Sequence, residues 1–336
     1  MPAKKSSPIG LADDALILEG AFSYSDRIAA LLAGAVSVPG VQLRITSAPP
    51  SDIFAGICKS VEPGVAGSGA AYDVAEMSLG ALAALRSRGE QSLVGLPVFT
   101  SRAFRHGMVY VNARAGVRCP ADLNGKTIAI REWGMTALIW IIGILAEHHD
   151  FDWRSVNWIA ARAPRTEMAL PERYRSMSGD ETISSLVASG RADAALFHEL
   201  LPCFAAGDAN VRRLFEPPLA AEQAYFEATG IFPPMHCVVL RAACVESAAD
   251  LPARLFTAFS AARDYAYAGL LDTGAPFAMV PFLDAHMDLT RRVMGDDWWP
   301  YGLTPNRRAL ERLLCYAQDQ GVACRLLAPE DLFLAL

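Results

Sequence analysis

Short strand-like segments alternate with helical segments along this chain, and this alternation constrains the fold more than any other feature. Each of the first three strand-like segments is followed closely by a helical one, at 16–20 and 27–32, 41–45 and 52–58, and 72–77 and 79–86. Consecutive units of this kind place their strands side by side in a parallel sheet with helices on both faces. The pattern therefore predicts an α/β fold.

A second set of such units begins after Asn112. Its strand-like and helical segments alternate at 127–130, 135–147, 156–160, 180–189 and 192–197. Asp180 has the side chain of a helix N-cap, and the last third of the chain is mainly helical. The apolar run Ala137–Ala146 is about half of the ~20 residues that cross a bilayer, which predicts a buried helix rather than a membrane span.

With 336 residues, the chain is longer than one hydrophobic core usually supports, so we expect two lobes. We assign residues 1–112 and 225–336 to the first lobe and residues 113–224 to the second. The chain then crosses between the lobes near 112–118 and near 215–234, which leaves a cleft between them. Ligands of open α/β sheets bind at the carboxyl ends of the strands, so the cleft is the expected site.

Composition limits the partners. The chain has 30 Lys and Arg residues against 36 Asp and Glu residues, which argues against a nucleic acid partner because phosphate binding needs a basic face. Acidic residues Asp13 and Asp14 stand where the apolar part of a signal peptide would follow Lys4 and Lys5. We therefore expect a cytoplasmic protein with no membrane partner, and keep a homo-oligomer open.

Motifs for metals and nucleotides are not convincing. Seven cysteines are scattered without paired spacing, so we expect most of them to be small core residues rather than zinc ligands or disulfides. The stretch 64–69 is rich in glycine but lacks the spacing of a dinucleotide-binding loop. His148 and His149 lie at a helix end without metal-ligand spacing. We expect no catalytic metal and no cofactor.

A dense polar cluster precedes the strand-like segment 107–112. Within six residues, Ser101 to His106, it holds the two guanidiniums of Arg102 and Arg105, an imidazole and a hydroxyl. Guanidiniums bind carboxylates through two parallel hydrogen bonds. The cluster is either a solvated loop with incidental charges or a binding site for a small anion.

Several ordered motifs resemble the 4,5-dihydroxyphthalate decarboxylase family, which is related to type II periplasmic solute-binding proteins. The resemblance spans about residues 15 to 333, and its motifs are Glu76-Met77-Ser78-Leu79, Ser101-Arg102-Ala103-Phe104-Arg105-His106, Ala121-Asp122-Leu123-Asn124-Gly125-Lys126, Ile231-Phe232-Pro233-Pro234-Met235-His236 and Trp299-Pro300-Tyr301-Gly302. It implies a two-lobed type II periplasmic-binding-protein-like fold, with a mainly parallel sheet in each lobe. It also implies decarboxylation of 4,5-dihydroxyphthalate to 3,4-dihydroxybenzoate and CO2 in aromatic-acid catabolism.

This reaction needs an anchor for the retained carboxylate, a base near a ring hydroxyl and a proton donor for the ring carbon. Arg102 and Arg105 suit the anchor. His106 and His236 are the candidate catalytic residues because imidazole titrates near neutral pH, although a lone histidine is more often structural. His198 with Glu199 is a further acid–base pair, for which we favour a plain structural role.

Six more residues are expected to bind the small aromatic dicarboxylate. They are Ser78, Ser101, Glu132, Thr136, Trp299 and Tyr301. Ser78 and Thr136 follow strands and can equally be helix caps, and Glu132 can be a surface acid. Aromatic side chains such as Trp299 and Tyr301 are more often core residues than pocket walls.

Two alternatives to this hypothesis stay open. One is a solute-binding protein that holds a small aromatic or carboxylated ligand without reacting with it. The other is an enzyme that acts on a different hydroxylated aromatic acid. Release of CO2 from 4,5-dihydroxyphthalate distinguishes the decarboxylase from the binding protein.

Overall fold

The computed structural model describes residues 15–61 and 72–336 of the chain. Within these residues the backbone forms two β-sheets, each packed against helices. The strands are β1 (Leu16–Phe22), β2 (Val41–Ser47), β3 (Val74–Ser78), β4 (Leu93–Arg102), β5 (Val109–Asn112), β6 (Thr127–Ile130), β7 (Asn157–Ala160), β8 (Tyr174–Ser176), β9 (Ala194–Leu196), β10 (Val211–Arg213) and β11 (Pro234–Arg241).

Helices flank both sheets and dominate the last third of the chain, as expected. They are α1 (Asp26–Leu32), α2 (Pro50–Ser60), α3 (Leu79–Ser87), α4 (Thr136–His148), α5 (Ile183–Ser189), α6 (Pro202–Ala205), α7 (Pro218–Thr229), α8 (Ala242–Ser247), α9 (Leu251–Leu271), α10 (Leu283–Met294), α11 (Arg307–Asp319) and α12 (Pro329–Leu332). Among the described residues, none of these helices has both the length and the apolar character of a membrane span. The first ten residues of α4 are all buried, so the prediction of a buried helix is confirmed.

The first sheet has the strand order β2-β1-β3-β11-β4. β1 pairs in parallel with β2 and β3, as the alternating units predict. β11 comes from late in the chain and lies antiparallel between β3 and β4. The central strand β3 is buried along its whole length, as a strand covered on both faces should be. The sheet is therefore mixed rather than parallel throughout.

The second sheet has the order β10-β5-β9-β6-β7-β8. β9, β6, β7 and β8 run parallel to one another, whereas β5 is antiparallel to both of its neighbours. The carboxyl ends of β6, β7 and β9 consequently meet at one edge of this sheet. Loops that leave that edge converge on the same space, which is where ligands of α/β sheets bind.

The chain crosses between the sheets twice. The first crossing is residues 103–108, because β4 ends in the first sheet at Arg102 and β5 begins in the second sheet at Val109. The sequence predicts this crossing near residues 112–118, which would place β5 in the first sheet. In the structure β5 is instead part of the second sheet. The return lies between β10 and β11 and contains α7, within the expected range. The exact lobe boundaries stay a prediction.

The cap of helix α5 and the burial of the cysteines differ from the predictions, and two stretches of the chain lie outside the described residues. Helix α5 is capped by Thr182, whose hydroxyl accepts from the Ser185 N–H, and not by Asp180. Cysteines are less often core residues than expected, since Cys119, Cys315 and Cys324 are exposed. The glycine-rich stretch 64–69 and the N-terminal segment 1–14 lie outside the described residues.

Candidate active site

A cleft of about 270 Å³ lies between the two lobes. Its walls combine apolar side chains with an unusual concentration of charged ones. The polar and charged residues that line it are Ser51, Ser78, Arg105, Arg131, Glu132, Thr136, Arg165, Thr166, His198, Glu199 and His236. Five of the predicted site residues are in this set, namely Ser78, Arg105, Glu132, Thr136 and His236.

The second lobe contributes its charged side chains from three loops at one sheet edge. Arg131 follows β6, Arg165 lies in the loop after β7, and His198 with Glu199 follows β9. Because these three strands are parallel neighbours, their carboxyl ends bring residues far apart in sequence into one cleft.

Arg105 lies in the first crossing and reaches the cleft from the side. Its Nη1 donates to the backbone carbonyl of His198 at 3.3 Å. Burial lowers the pKa of Arg105 to about 10, and the nearby Glu222 carboxylate partly opposes this shift. The guanidinium is therefore still charged at neutral pH and available to an anion.

His236 is held by a buried carboxylate of the first sheet. It lies in β11 opposite Ser78 of β3, and Glu76 lies two residues before Ser78 and so on the same face of the sheet. His236 Nδ1 is 2.6 Å from Glu76 Oε1, and Glu76 is only 1% exposed. The ring of Phe54 meets the imidazole edge-on, with 4.8 Å between the ring centres.

Glu76 is ionised at neutral pH. Burial by itself raises the pKa of Glu76, but the hydrogen bond and the charge of His236, together with the hydrogen bonds from Ser23, outweigh it and bring the pKa to about 2. An ionised carboxylate only accepts hydrogen bonds, so Nδ1 of His236 carries the proton that is shared with Glu76. Nε2, which has no hydrogen-bond partner among the described residues, is then the nitrogen that can exchange a proton with a ligand.

His198 is kept neutral by its surroundings. Burial lowers its pKa to about 4, the positive charges of Arg131 and Arg105 and the ring of His236 act in the same direction, and Glu199 opposes them. Its Nε2 lies 3.2 Å from Arg131 Nη1 and 3.1 Å from Glu199 Oε1. A neutral imidazole faces the cleft from the second lobe, whereas His236 faces it from the first.

Glu132 lies under the arginines of the second lobe. Burial raises the pKa of Glu132, and the positive charges of Arg165, Arg131 and Arg162 partly offset that effect. The distance from Arg165 Nη2 to Glu132 Oε2 is 3.6 Å. Arg105, Arg131 and Arg165 together outnumber the cleft carboxylates Glu132 and Glu199, so the cleft favours an anionic ligand.

Ser78 and Thr136 join two helix N-termini at the floor of the cleft. Their hydroxyl oxygens are 2.8 Å apart, and Thr136 Oγ1 accepts from the Gly80 N–H at 2.9 Å. A Cβ atom on Gly80 would lie 2.6 Å from the Gly134 carbonyl oxygen, so only glycine allows helices α3 and α4 to approach this closely. Both hydroxyls accept hydrogen bonds from N–H groups at the N-terminus of α3, and the N-terminal ends of α3 and α4 add positive potential to the cleft.

The structure corrects the expected role of Arg102. Its side chain is buried away from the cleft, where it donates to the Phe232 and Pro300 carbonyls at 2.8 Å each and to the Asn306 side chain. Burial lowers the pKa of Arg102 to about 9. The residue ties β4 to the C-terminal segments and does not pair with Arg105.

His106 is also outside the cleft. It is 3% exposed, lies in a short 3-10 turn, and packs against the rings of Phe215 and Tyr225. Burial lowers the pKa of His106 to about 4, with smaller effects from His149 and His148. The expected catalytic role of His106 therefore has no support in its position.

Three predicted binding residues lie elsewhere. Trp299 donates from Nε1 to the Phe99 carbonyl at 2.7 Å and lines a separate cavity of about 350 Å³. Tyr301 is buried, and its hydroxyl has no partner within the described parts of the chain. Ser101 pairs with His236 through the backbone of β4 and β11 but does not line the cleft.

Three residues at the cleft were not among the predicted site residues, namely Glu76, Arg131 and Arg165. Glu76 is part of a motif quoted for the resemblance, yet its partner His236 is 160 positions away. The signal for Arg131 is its place directly after a strand that points to the cleft edge. Within the described residues, no three His, Cys, Asp or Glu side chains converge as metal ligands, and the expected lack of a catalytic metal stays a prediction.

Two proteins of known function are similar to this chain in sequence. No family model matches the chain. The chain is 32% identical over 316 residues to 4,5-dihydroxyphthalate decarboxylase of Comamonas testosteroni, covering 92% of this chain and 93% of that protein. It is 29% identical over 210 residues to the protein of the same name from Pseudomonas putida, covering 60% and 78%.

Solved structures support the fold alone. A periplasmic sulfonate-binding protein of Methylobacillus flagellatus aligns with a TM-score of 0.56 at 12% identity, covering 96% of this chain and 92% of that chain. The predicted two-lobed binding-protein architecture is therefore confirmed. The extent and identity of the match to the Comamonas protein confirm the predicted family as well, so this chain belongs to the 4,5-dihydroxyphthalate decarboxylase family.

Proposed function

We propose that this protein decarboxylates 4,5-dihydroxyphthalate to 3,4-dihydroxybenzoate and CO2 without a cofactor, in the cleft between its lobes. The observation that carries the proposal is the convergence of three arginines with a carboxylate-bound histidine, His236, in that one cleft. The name of the Comamonas relative supports the choice of substrate.

The reaction replaces a carboxylate by a proton at the same ring carbon. Proton addition to that carbon interrupts the aromatic ring, and an ionised hydroxyl para to it supplies the electron density that makes the addition feasible. The bond to the carboxylate then breaks, its electron pair restores the aromatic ring, and CO2 leaves. One proton from solvent is consumed overall, because the dianionic substrate becomes a monoanionic product.

The two histidines of the cleft suit the two proton transfers of this reaction, one from the ring hydroxyl and one to the ring carbon. The hydroxyl and the carbon para to it are too far apart for one imidazole to serve both. His198 is neutral and can accept the hydroxyl proton. His236, when protonated at Nε2, is an imidazolium stabilised by the ionised Glu76, and it can deliver that proton to the ring carbon.

The arginines suit the carboxylates. Arg105 and Arg131 lie beside His198, and we assign them to the carboxylate that is retained. Equally tight binding of the departing carboxylate would stabilise the ground state and oppose the reaction. Arg165 is already engaged by Glu132 and so suits a weaker contact with that group.

Release of CO2 tests the proposal. Purified protein should convert 4,5-dihydroxyphthalate to equal amounts of CO2 and 3,4-dihydroxybenzoate, measured by gas analysis and chromatography. Calorimetry run in parallel reports binding. Tight binding without any CO2 would contradict the proposal and favour a solute-binding role.

A further inference from the structure

Two adjacent strands of the first sheet and the residue that follows a third form a hydrogen-bonded row that ends in the cleft. β1, β3 and β11 are consecutive neighbours in this sheet. Ser23 directly follows β1, Glu76 lies in β3 and His236 lies in β11. The row therefore crosses the sheet from Ser23 through Glu76 to His236.

Each oxygen of the Glu76 carboxylate has its own partner. Oε2 accepts from the Ser23 backbone N–H at 2.9 Å and from the Ser23 hydroxyl at 2.5 Å. Oε1 faces His236 Nδ1 at 2.6 Å. The carboxylate cannot rotate without losing bonds on both sides, and at 1% exposure it has little access to replacement water.

We propose that Ser23 is a positioning residue for the decarboxylation: it fixes the Glu76 carboxylate and thereby the His236 ring, so that Nε2 is directed at the ligand. Ser23 is not among the residues that line the cleft, so it acts only through Glu76. Its effect on turnover rests on the proposed function, whereas its effect on the imidazole does not.

Variants of two serines distinguish a positioning role of Ser23 from a general effect of removing a buried hydroxyl near β1. S23A removes the hydroxyl and keeps the backbone N–H, and S23T keeps both. S25A is a matched control, because the Ser25 hydroxyl is also buried in the segment after β1 and has no hydrogen-bond partner among the described residues. We expect S23A to lower kcat about three- to tenfold with KM within about twofold, and S23T and S25A to stay close to the wild type.

Nitrogen-15 NMR of the imidazoles gives a readout that is independent of turnover. The His236 signals are assigned by their loss in H236Q, using substrate-free protein. At a pH at which the His236 ring is neutral, we expect only the Nδ1-protonated tautomer in wild type, S23T and S25A, and a mixture of tautomers in S23A. A wild-type spectrum for S23A, or an equal change in S25A, would overturn the proposal. A lack of CO2 release by the wild type would contradict the proposed function instead, and the spectra would still decide the role of Ser23.

Discussion

The Arg165 guanidinium lies 5.8 Å from the centre of the Phe54 ring, so a charged residue of the second lobe contacts an aromatic residue of the first across the cleft. The same guanidinium is 3.6 Å from Glu132, and the same ring meets His236. Arg165 therefore lies between Glu132 of the second lobe and the aromatic ring that packs on His236 of the first.

Removal of the Arg165 charge should weaken binding of a dicarboxylate. Arg165→Met keeps much of the side-chain length, and we expect it to raise the Kd for phthalate about tenfold, which corresponds to about 1.4 kcal/mol. Phthalate lacks the hydroxyls and so reports binding without turnover. Arg173→Met is the control, because Arg173 is exposed in the same lobe and outside the cleft. An equal loss in both variants would contradict a specific role for Arg165.

Arg102 and Arg105 should respond differently to the same substitution. Arg105→Met should raise the Kd for phthalate and leave the free energy of unfolding nearly unchanged. Arg102→Met leaves the Phe232 carbonyl and the Asn306 side-chain oxygen without the buried guanidinium, and it removes one of the two donors to the Pro300 carbonyl. We therefore expect a loss of about 3 kcal/mol in the free energy of unfolding. Urea denaturation and calorimetry distinguish the two. A higher Kd for phthalate in Arg102→Met, with the loss of unfolding free energy in Arg105→Met, would instead identify Arg102 as the residue that binds the carboxylate.

The sequence identifies the cluster that contains Arg102 and Arg105, but it does not predict which of the two side chains reaches the cleft. The cluster 101–106 is compact in sequence, yet β4 continues through Arg102, Arg105 lies in the crossing, and His106 enters a 3-10 turn. Neighbouring residues are therefore directed into three environments. Only the course of the backbone decides which of them reaches the cleft.

The fold was more predictable than the site. Repeated β-α units carry a local signal, so the early strands and the buried helix α4 follow from apolar periodicity. The contact between Glu76 and His236 has no local signal, because it depends on β11 lying antiparallel beside β3. Arg165 likewise stands alone in a loop, and its role emerges only from the order of the strands in the second sheet.

His106 should make stability depend on pH. Its pKa is about 4 in the folded protein and about 6.5 in an unfolded chain, so the unfolded chain binds the proton more readily between these values. Stability is retained above about pH 6.5 and falls towards pH 4, by about 2 kcal/mol at pH 5 from this residue. Urea denaturation of H106Q should show a smaller loss between pH 7 and pH 5. Some loss should persist, because the pKa of His198 is also lowered to about 4.

The close approach of helices α3 and α4 depends on Gly80. A Cβ there would lie 2.6 Å from the Gly134 carbonyl oxygen and 2.7 Å from Ile139 Cδ1, so Gly80→Ala should lower both the free energy of unfolding, by about 1–3 kcal/mol, and the turnover rate. Gly56→Ala in helix α2 is the matched control. A Cβ atom at Gly56 would lie 3.9 Å from its nearest described neighbour, Tyr72 Cε2. Alanine should therefore raise the free energy of unfolding by up to about 1 kcal/mol. Equal effects of the two would argue against a steric role for Gly80.

The most direct test of the central claim compares the two histidines that the sequence made equal candidates. CO2 release from 4,5-dihydroxyphthalate and the Kd for phthalate are measured side by side in H236Q and H106Q. The account predicts that H236Q lowers CO2 release at least about a hundredfold with Kd within about twofold, and that H106Q keeps both near wild type at pH 7. Full activity in H236Q with loss in H106Q would contradict it.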